Sequence, residues 1–144
     1  MKVLIIENDP ICAQGLRQHI EALGFYNIVI ARNGEQAKVQ YEHTYFDMVF
    51  CDISLPDVAS IDVLADLCKY TLPRSVAIIS SLDKDILDLT YNICVSAGVK
   101  SVHLLKKPLN RKTVEKIIRQ VARHKHIERC ENSILLTKSD IEYA

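Results

Sequence analysis

Residues 46–57 read FDMVFCDISLPD, a mostly apolar run that reaches Asp52 and stops at Pro56. Such a run, short and bounded by turn residues, has the character of a buried strand. A carboxylate without a partner is costly to bury, so Asp52 belongs at the strand's exposed carboxyl end, against a cation, or both. The question is whether other strands of the same kind carry chemistry at the same end.

Short β-branched or apolar runs recur at 3–6, 28–31, 48–51, 76–79 and 102–105, and each is followed by a stretch with helical spacing. The helical spacing is carried by Ile11, Leu16, Ile20 and Leu23, then by Ala37, Val39 and Tyr41 after Asn33-Gly34. Ile61, Leu64, Leu67 and Cys68 carry a third helix, Ile86, Leu89, Ile93 and Ala97 a fourth, and Val114, Ile117, Ile118 and Val121 a fifth. Near-continuous apolar strands alternating with helices predict an α/β fold of the flavodoxin-like, doubly wound kind: a five-stranded parallel sheet with helices on both faces. Open sheets of this kind bind ligands outside the carboxyl ends of their strands.

The bulk composition agrees with one compact domain: 144 residues, 49% hydrophobic and 25% charged. Lys plus Arg and Asp plus Glu both number 18, so no overall basic excess argues for nucleic acid or membrane. Basic residues do gather over 111–129, which reads as a solvated helix face. The five cysteines are scattered, odd in number and form no C-x-x-C pair, which disfavours a disulfide framework and a zinc site. No run is long enough to span a membrane and no signal peptide is legible, so a cytoplasmic protein is expected.

Toward the carboxyl end, Glu131-Asn132-Ser133 predicts a break in the last helix, and Ser139 or Asp140 an N-cap for a new one. The expected organisation is one domain over 1–123, with 124–144 a linker and the start of a further domain absent from this chain.

Chemistry collects at the predicted strand ends. Strand one ends in ENDP (7–10), strand three in Asp52, strand four in Ser80 and Ser81, and strand five in KKP (106–108). Each has a structural reading alone: Glu7 and Asp9 as helix caps, Ser80 as a turn residue, Lys107 as a loop lysine. Together, at four strand ends of one sheet edge, they point to a site.

The motifs VLIIENDP, DMVFCDISLPD, VAIISS and KKPL, in that order, resemble the receiver domain of two-component response regulators over residues 1–123. The resemblance implies that Asp52 accepts a phosphoryl group from a histidine kinase or phosphotransfer protein. It implies that Ser80 bonds a phosphoryl oxygen, that Lys107 pairs with it, and that Glu7, Asn8, Asp52 and the Ser54 carbonyl hold Mg2+. The chemistry is consistent: phosphoryl transfer asks for an ionised oxygen nucleophile and cations on the equatorial oxygens, with no separate base. Catalysis would extend only to the domain's own phosphorylation and dephosphorylation.

Three positions depart from the family pattern. Asn8 stands where a second carboxylate is usual, which should weaken Mg2+ binding. Ser60 replaces a usual glycine, so the loop beside the site is expected to be reshaped or strained. The span from Ser80 to Lys107 is longer than usual, and Leu104 takes the place of an aromatic switch residue. That long span resembles receivers that precede EAL-type cyclic di-GMP phosphodiesterase domains, and LLTKSDIEYA resembles the lead-in helix of such a domain. It is fainter as the opening of a helix-turn-helix output, the one case in which nucleic acid would be a partner. Other implied partners are the C-terminal output domain and a second copy of the chain. The alternatives are a pseudo-receiver that binds partners without phosphorylation and a phosphatase of the haloacid dehalogenase type. Asn8 supports the first; Ser54, where that phosphatase family has a second Asp, argues against the other.

Overall fold

The structure is a computed structural model that describes residues 1–80 and 84–143, with side chains through Ile127. Strands β1 (Val3–Ile6), β2 (Ile28–Ala31), β3 (Met48–Asp52), β4 (Ser75–Ser80) and β5 (Ser101–Lys106) alternate with helices α1 (Pro10–Glu21), α2 (Gly34–Tyr41), α3 (Ser60–Tyr70), α4 (Lys84–Ala97) and α5 (Arg111–Tyr143). All pairings are parallel, in the order β2-β1-β3-β4-β5. The fold is the flavodoxin-like doubly wound sheet that the sequence predicts.

Alternation along the strands divides the core in two. Val3, Ile5, Met48, Phe50, Ala77, Ile79 and Leu105 pack with α1 and α5, whereas Leu4, Ile6, Val49, Cys51, Val76 and Ile78 pack with α2, α3 and α4. Both faces are covered by helices, which is why the strands are apolar throughout rather than at every second position. Each fully buried aliphatic side chain contributes about 1.5–3 kcal/mol.

Local signals fix the helix ends. Asp9 caps α1 by accepting from the Ile11 amide at 3.0 Å, with Pro10 at the first helical position. Asn33 caps α2 through the Gln36 amide at 2.8 Å. Helix α4 ends at Gly98, whose φ of 103° suits glycine; the amides of Gly98 and Val99 return to the carbonyls of Val95 and Cys94.

Helix α5 corrects one expectation. It runs unbroken for 33 residues through Glu131-Asn132-Ser133, and the N-cap expected at Ser139 or Asp140 falls inside it. No glycine or proline occurs after Pro108, and the polar residues there cost only tenths of a kcal/mol each in a helix. Its described buried residues end at Val121. Ser81, the second hydroxyl expected at the end of β4, lies outside the described residues. Cys12, Cys51, Cys68 and Cys94 are free thiols. Among the described residues no helix is long and apolar enough to cross a membrane.

Candidate functional site

The sheet order sets β1, β3, β4 and β5 side by side, so their carboxyl ends deliver Glu7, Asp52, Ser80 and Lys107 to one edge. Lys107 ties the edge together. Its Nζ lies 2.7 Å from Asp52 Oδ2 and 3.2 Å from Glu7 Oε1. The other oxygen of Asp52, Oδ1, accepts from the Ser54 amide at 2.7 Å. Each carboxylate oxygen of Asp52 is thus held by one donor, and the group has a fixed orientation. Ser80 sits one residue past Ile79, the β4 partner of Asp52, and its carbonyl accepts from the Lys107 amide at 3.1 Å. Glu7, Asp52 and Ser80 are all buried, at 2%, 4% and 5% exposure, so their polar groups need partners inside the site.

Two carboxylates share one ammonium, and the electrostatics follow from that. Burial raises the Glu7 pKa, and the neighbouring Asp52 raises it further, against the lowering effect of the Asp9 amide and Lys107. Glu7 Oε2 is buried with no hydrogen-bond partner among the described residues. Burial opposes the charge of Lys107, but its bonds to Asp52 and Glu7 outweigh this and leave its pKa raised. The edge therefore carries a surplus negative charge and an unsatisfied oxygen, a donor set that suits a hard cation.

That donor set is small. Among the described residues no group of three or more His, Cys, Asp and Glu side chains is placed to hold a metal. Asn8 is exposed beside Glu7 and offers at most a neutral amide oxygen. Asp9 cannot replace it, because its carboxylate caps α1 and accepts from Cys12 Sγ at 3.2 Å. Those bonds, Cys12 first and the Ile11 amide next, lower its pKa.

Ser60 behaves differently from the expected strain. Among the described residues none other than glycine has positive φ, and Ser60 opens α3 in ordinary helical backbone. Its hydroxyl donates to the main-chain carbonyl of Asp52. Two further contacts escape sequence reasoning: Asp57 accepts from the amides of Gly34 and Glu35, and Asp47 pairs with Lys125. Their partners lie more than twenty residues away, beyond any local pattern.

The sequence pattern of the response regulator receiver domain matches residues 3–119. The chain belongs to the response regulator receiver family. Receiver domains are signalling modules that work with histidine kinases or phosphotransfer proteins and with output domains, and they generally bind Mg2+ through acidic residues.

This receiver is 25% identical over 130 residues to the positive alginate biosynthesis regulatory protein of Pseudomonas aeruginosa, covering 89% of this chain and 50% of that protein. It is 26% identical over 102 residues to protein-glutamate methylesterase/protein-glutamine glutaminase 3 of Rhodospirillum rubrum, covering 71% and 27% respectively. The chain thus spans half or less of the length of these relatives. A crystal structure of a two-component response regulator from Clostridium difficile superposes with a TM-score of 0.72 at 23% identity, over 85% of this chain and 96% of that one, and shares the fold.

Proposed function

We propose that this receiver is a phosphoacceptor that takes a phosphoryl group on Asp52 from a histidine kinase or phosphotransfer protein. The observation that carries the reading is the bracing of Asp52 between Lys107 and the Ser54 amide, beside a second buried carboxylate. A carboxylate oxygen of Asp52 attacks the phosphorus of a phosphohistidine in line, the P–N bond breaks with its electron pair returning to the imidazole, and an aspartyl phosphate forms. Lys107 follows the negative charge onto the phosphoryl oxygens, and the Ser80 hydroxyl donates to one of them. Glu7, Asp52, the Ser54 carbonyl and the Asn8 amide oxygen would hold Mg2+, which supplies charge neutralisation for the transferring group. As Lys107 turns to the phosphoryl group, Glu7 would give up its ammonium partner and keep the Asp9 amide on Oε1.

Incubation with Mg2+ and acetyl phosphate, followed by intact-mass measurement, tests the assignment. One phosphoryl adduct is expected in the unmutated chain and none in Asp52→Asn. An adduct that persists in Asp52→Asn overturns it. Absence of any adduct favours the pseudo-receiver, the reading that the neutral, exposed Asn8 supports.

For the whole protein we propose a cytoplasmic regulator with the receiver at 1–123 and a linker from 124 into an output domain. The long segment from Ser80 to Lys107, which resembles EAL-linked receivers, supports a cyclic di-GMP phosphodiesterase as that output. Phosphorylation would act by a population shift in helix packing, transmitted through α5 or through pairing of two receivers. Hydrolysis of cyclic di-GMP by the full-length protein should respond to phosphodonor. A helix-turn-helix output, with nucleic acid as partner, is the result that would replace this reading.

A further inference from the structure

The loop from Ile53 to Ala59, which joins Asp52 to α3, is held at three points. The Ile53 amide donates to the Ile79 carbonyl at 2.9 Å, and the Ser60 hydroxyl closes the far end onto the Asp52 carbonyl. Between these, Asp57 reaches across to α2. Its Oδ1 accepts from the Gly34 amide and from its neighbour Val58, each at 3.0 Å, and Oδ2 accepts from the Glu35 amide at 3.1 Å. These are two of the free amides at the start of α2, whose third is taken by Asn33. The Gly34 amide is the main cause of a lowered Asp57 pKa, so the carboxylate is ionised at neutral pH.

Packing at the same point supports the hydrogen bonds independently. A Cβ built on Gly34 would collide with the Val58 side chain and stand 3.1 Å from Val63 Cγ2. The loop and the first turn of α2 approach as closely as a glycine permits. Asn33-Gly34 is thus a seat for the loop as well as a helix start. Ser54 sits in the same loop, and its amide holds Asp52 Oδ1 at 2.7 Å.

We infer that Asp57 is a positioning residue for phosphoryl transfer: by anchoring the loop on the start of α2 it keeps the Ser54 amide on Asp52 and so fixes the orientation of the reacting carboxylate. The inference rests on Asp52 being the phosphoacceptor. Misplacement of a reacting group by a fraction of its reach is costly in rate, even when caused at a distance. The Asp57 carboxylate bonds the main-chain amides of Gly34, Glu35 and Val58, whereas Lys107 bonds Glu7 and Asp52, so Asp57 acts through the loop.

The test compares the unmutated chain with Asp57→Ala and the milder Asp57→Asn, which keeps one acceptor oxygen. Amide hydrogen exchange is read at Ser54, Gly34 and Glu35, and the phosphorylation rate with acetyl phosphate and Mg2+ is measured beside it. Positioning predicts faster exchange at Ser54 as well as at Gly34 and Glu35. It also predicts a fall of about tenfold in the phosphorylation rate of Asp57→Ala, with Asp57→Asn between the two. If Gly34 and Glu35 lose protection while Ser54 exchange and the rate are unchanged, Asp57 is only a cap for α2 and the inference is overturned. Should even the unmutated chain take no phosphate, the phosphoacceptor reading fails by itself. The Ser54 exchange then still decides whether Asp57 holds the loop.

Discussion

Strand β3 is bounded by buried aspartates, Asp47 just before it and Asp52 at its end, each 4% exposed. Asp47 accepts from the Lys2 amide at 2.7 Å and from Lys125 Nζ at 3.0 Å, both on Oδ2. Asp52 accepts from the Ser54 amide and from Lys107 Nζ, each at 2.7 Å. The partners are alike in kind: one main-chain amide and one lysine. What differs is Glu7. Among the described residues, the ion pair at the amino edge joins one carboxylate to one ammonium, whereas at the carboxyl edge two carboxylates share one, and Glu7 Oε2 has no hydrogen-bond partner there. The part-buried Asp47–Lys125 pair ties α5 to the sheet, whereas on the proposed reading the extra carboxylate at the other end is what a cation and an incoming group would use. If Asp52 is the phosphoacceptor, the number of charges, more than burial, separates the two ends.

Breaking the balanced end should cost the most stability. Asp47→Asn removes the charge that Lys125 and the Lys2 amide both use, and about 2 kcal/mol should be lost in urea unfolding at neutral pH. Asp52→Asn should lose less, because it relieves crowding with Glu7. A greater loss at Asp52 would mean that the two ends are structurally equivalent.

Glu7→Gln sharpens the contrast from the other side. It should weaken Mg2+ binding by at least about tenfold, comparable to the loss of a supporting ligand. It should also raise the melting temperature of the metal-free protein, since a buried carboxylate with a raised pKa opposes folding when ionised. Calorimetry with chelator and a Mg2+ titration read both effects. A lower melting temperature without metal would show that the Lys107 bond outweighs the burial of Glu7.

Asn8→Asp adds a charge to the edge that already has a surplus. Mg2+ binding should tighten by about 1 kcal/mol. Equal affinities would mean that water or another oxygen already completes the shell.

The smallest expected effect is in pH. Glu7 has a folded pKa above the ordinary value of 4.5, so its contribution to stability is greatest below that value. It is lost as pH rises through the folded pKa, where the unfolded chain ionises more readily than the native one. Urea midpoints in chelator, corrected with Glu7→Gln as reference, should show this decline. Mg2+ should flatten it.

How much of this was legible follows from where each partner lies. The strands were legible because both faces of the sheet are buried, which leaves runs such as 48–51 apolar without interruption. Glu7, Asp52, Ser80 and Lys107 were legible because each ends such a run, and a parallel sheet sets strand ends together. Asp47 precedes the same run, yet its role depends on Lys125, a helix away at the opposite edge. Asp57 depends on the amides of Gly34 and Glu35, which are main-chain groups and leave no side-chain signature. Ser60 stood out as a departure, but its hydroxyl partner is again a main-chain group, the Asp52 carbonyl. The continuation of α5 was missed because Glu131-Asn132-Ser133 looks like a loop, whereas only glycine or proline would have stopped the helix firmly.

The most direct measurement locates the phosphoryl group between the two aspartates. After treatment with acetyl phosphate and Mg2+, borohydride reduces an aspartyl phosphate to homoserine, and peptide mass spectrometry reads its position. The account predicts homoserine at position 52 alone, with the yield lost when Mg2+ is chelated. Homoserine at position 47, or modification spread over both, would contradict the claim that the surplus charge at the carboxyl edge makes the site.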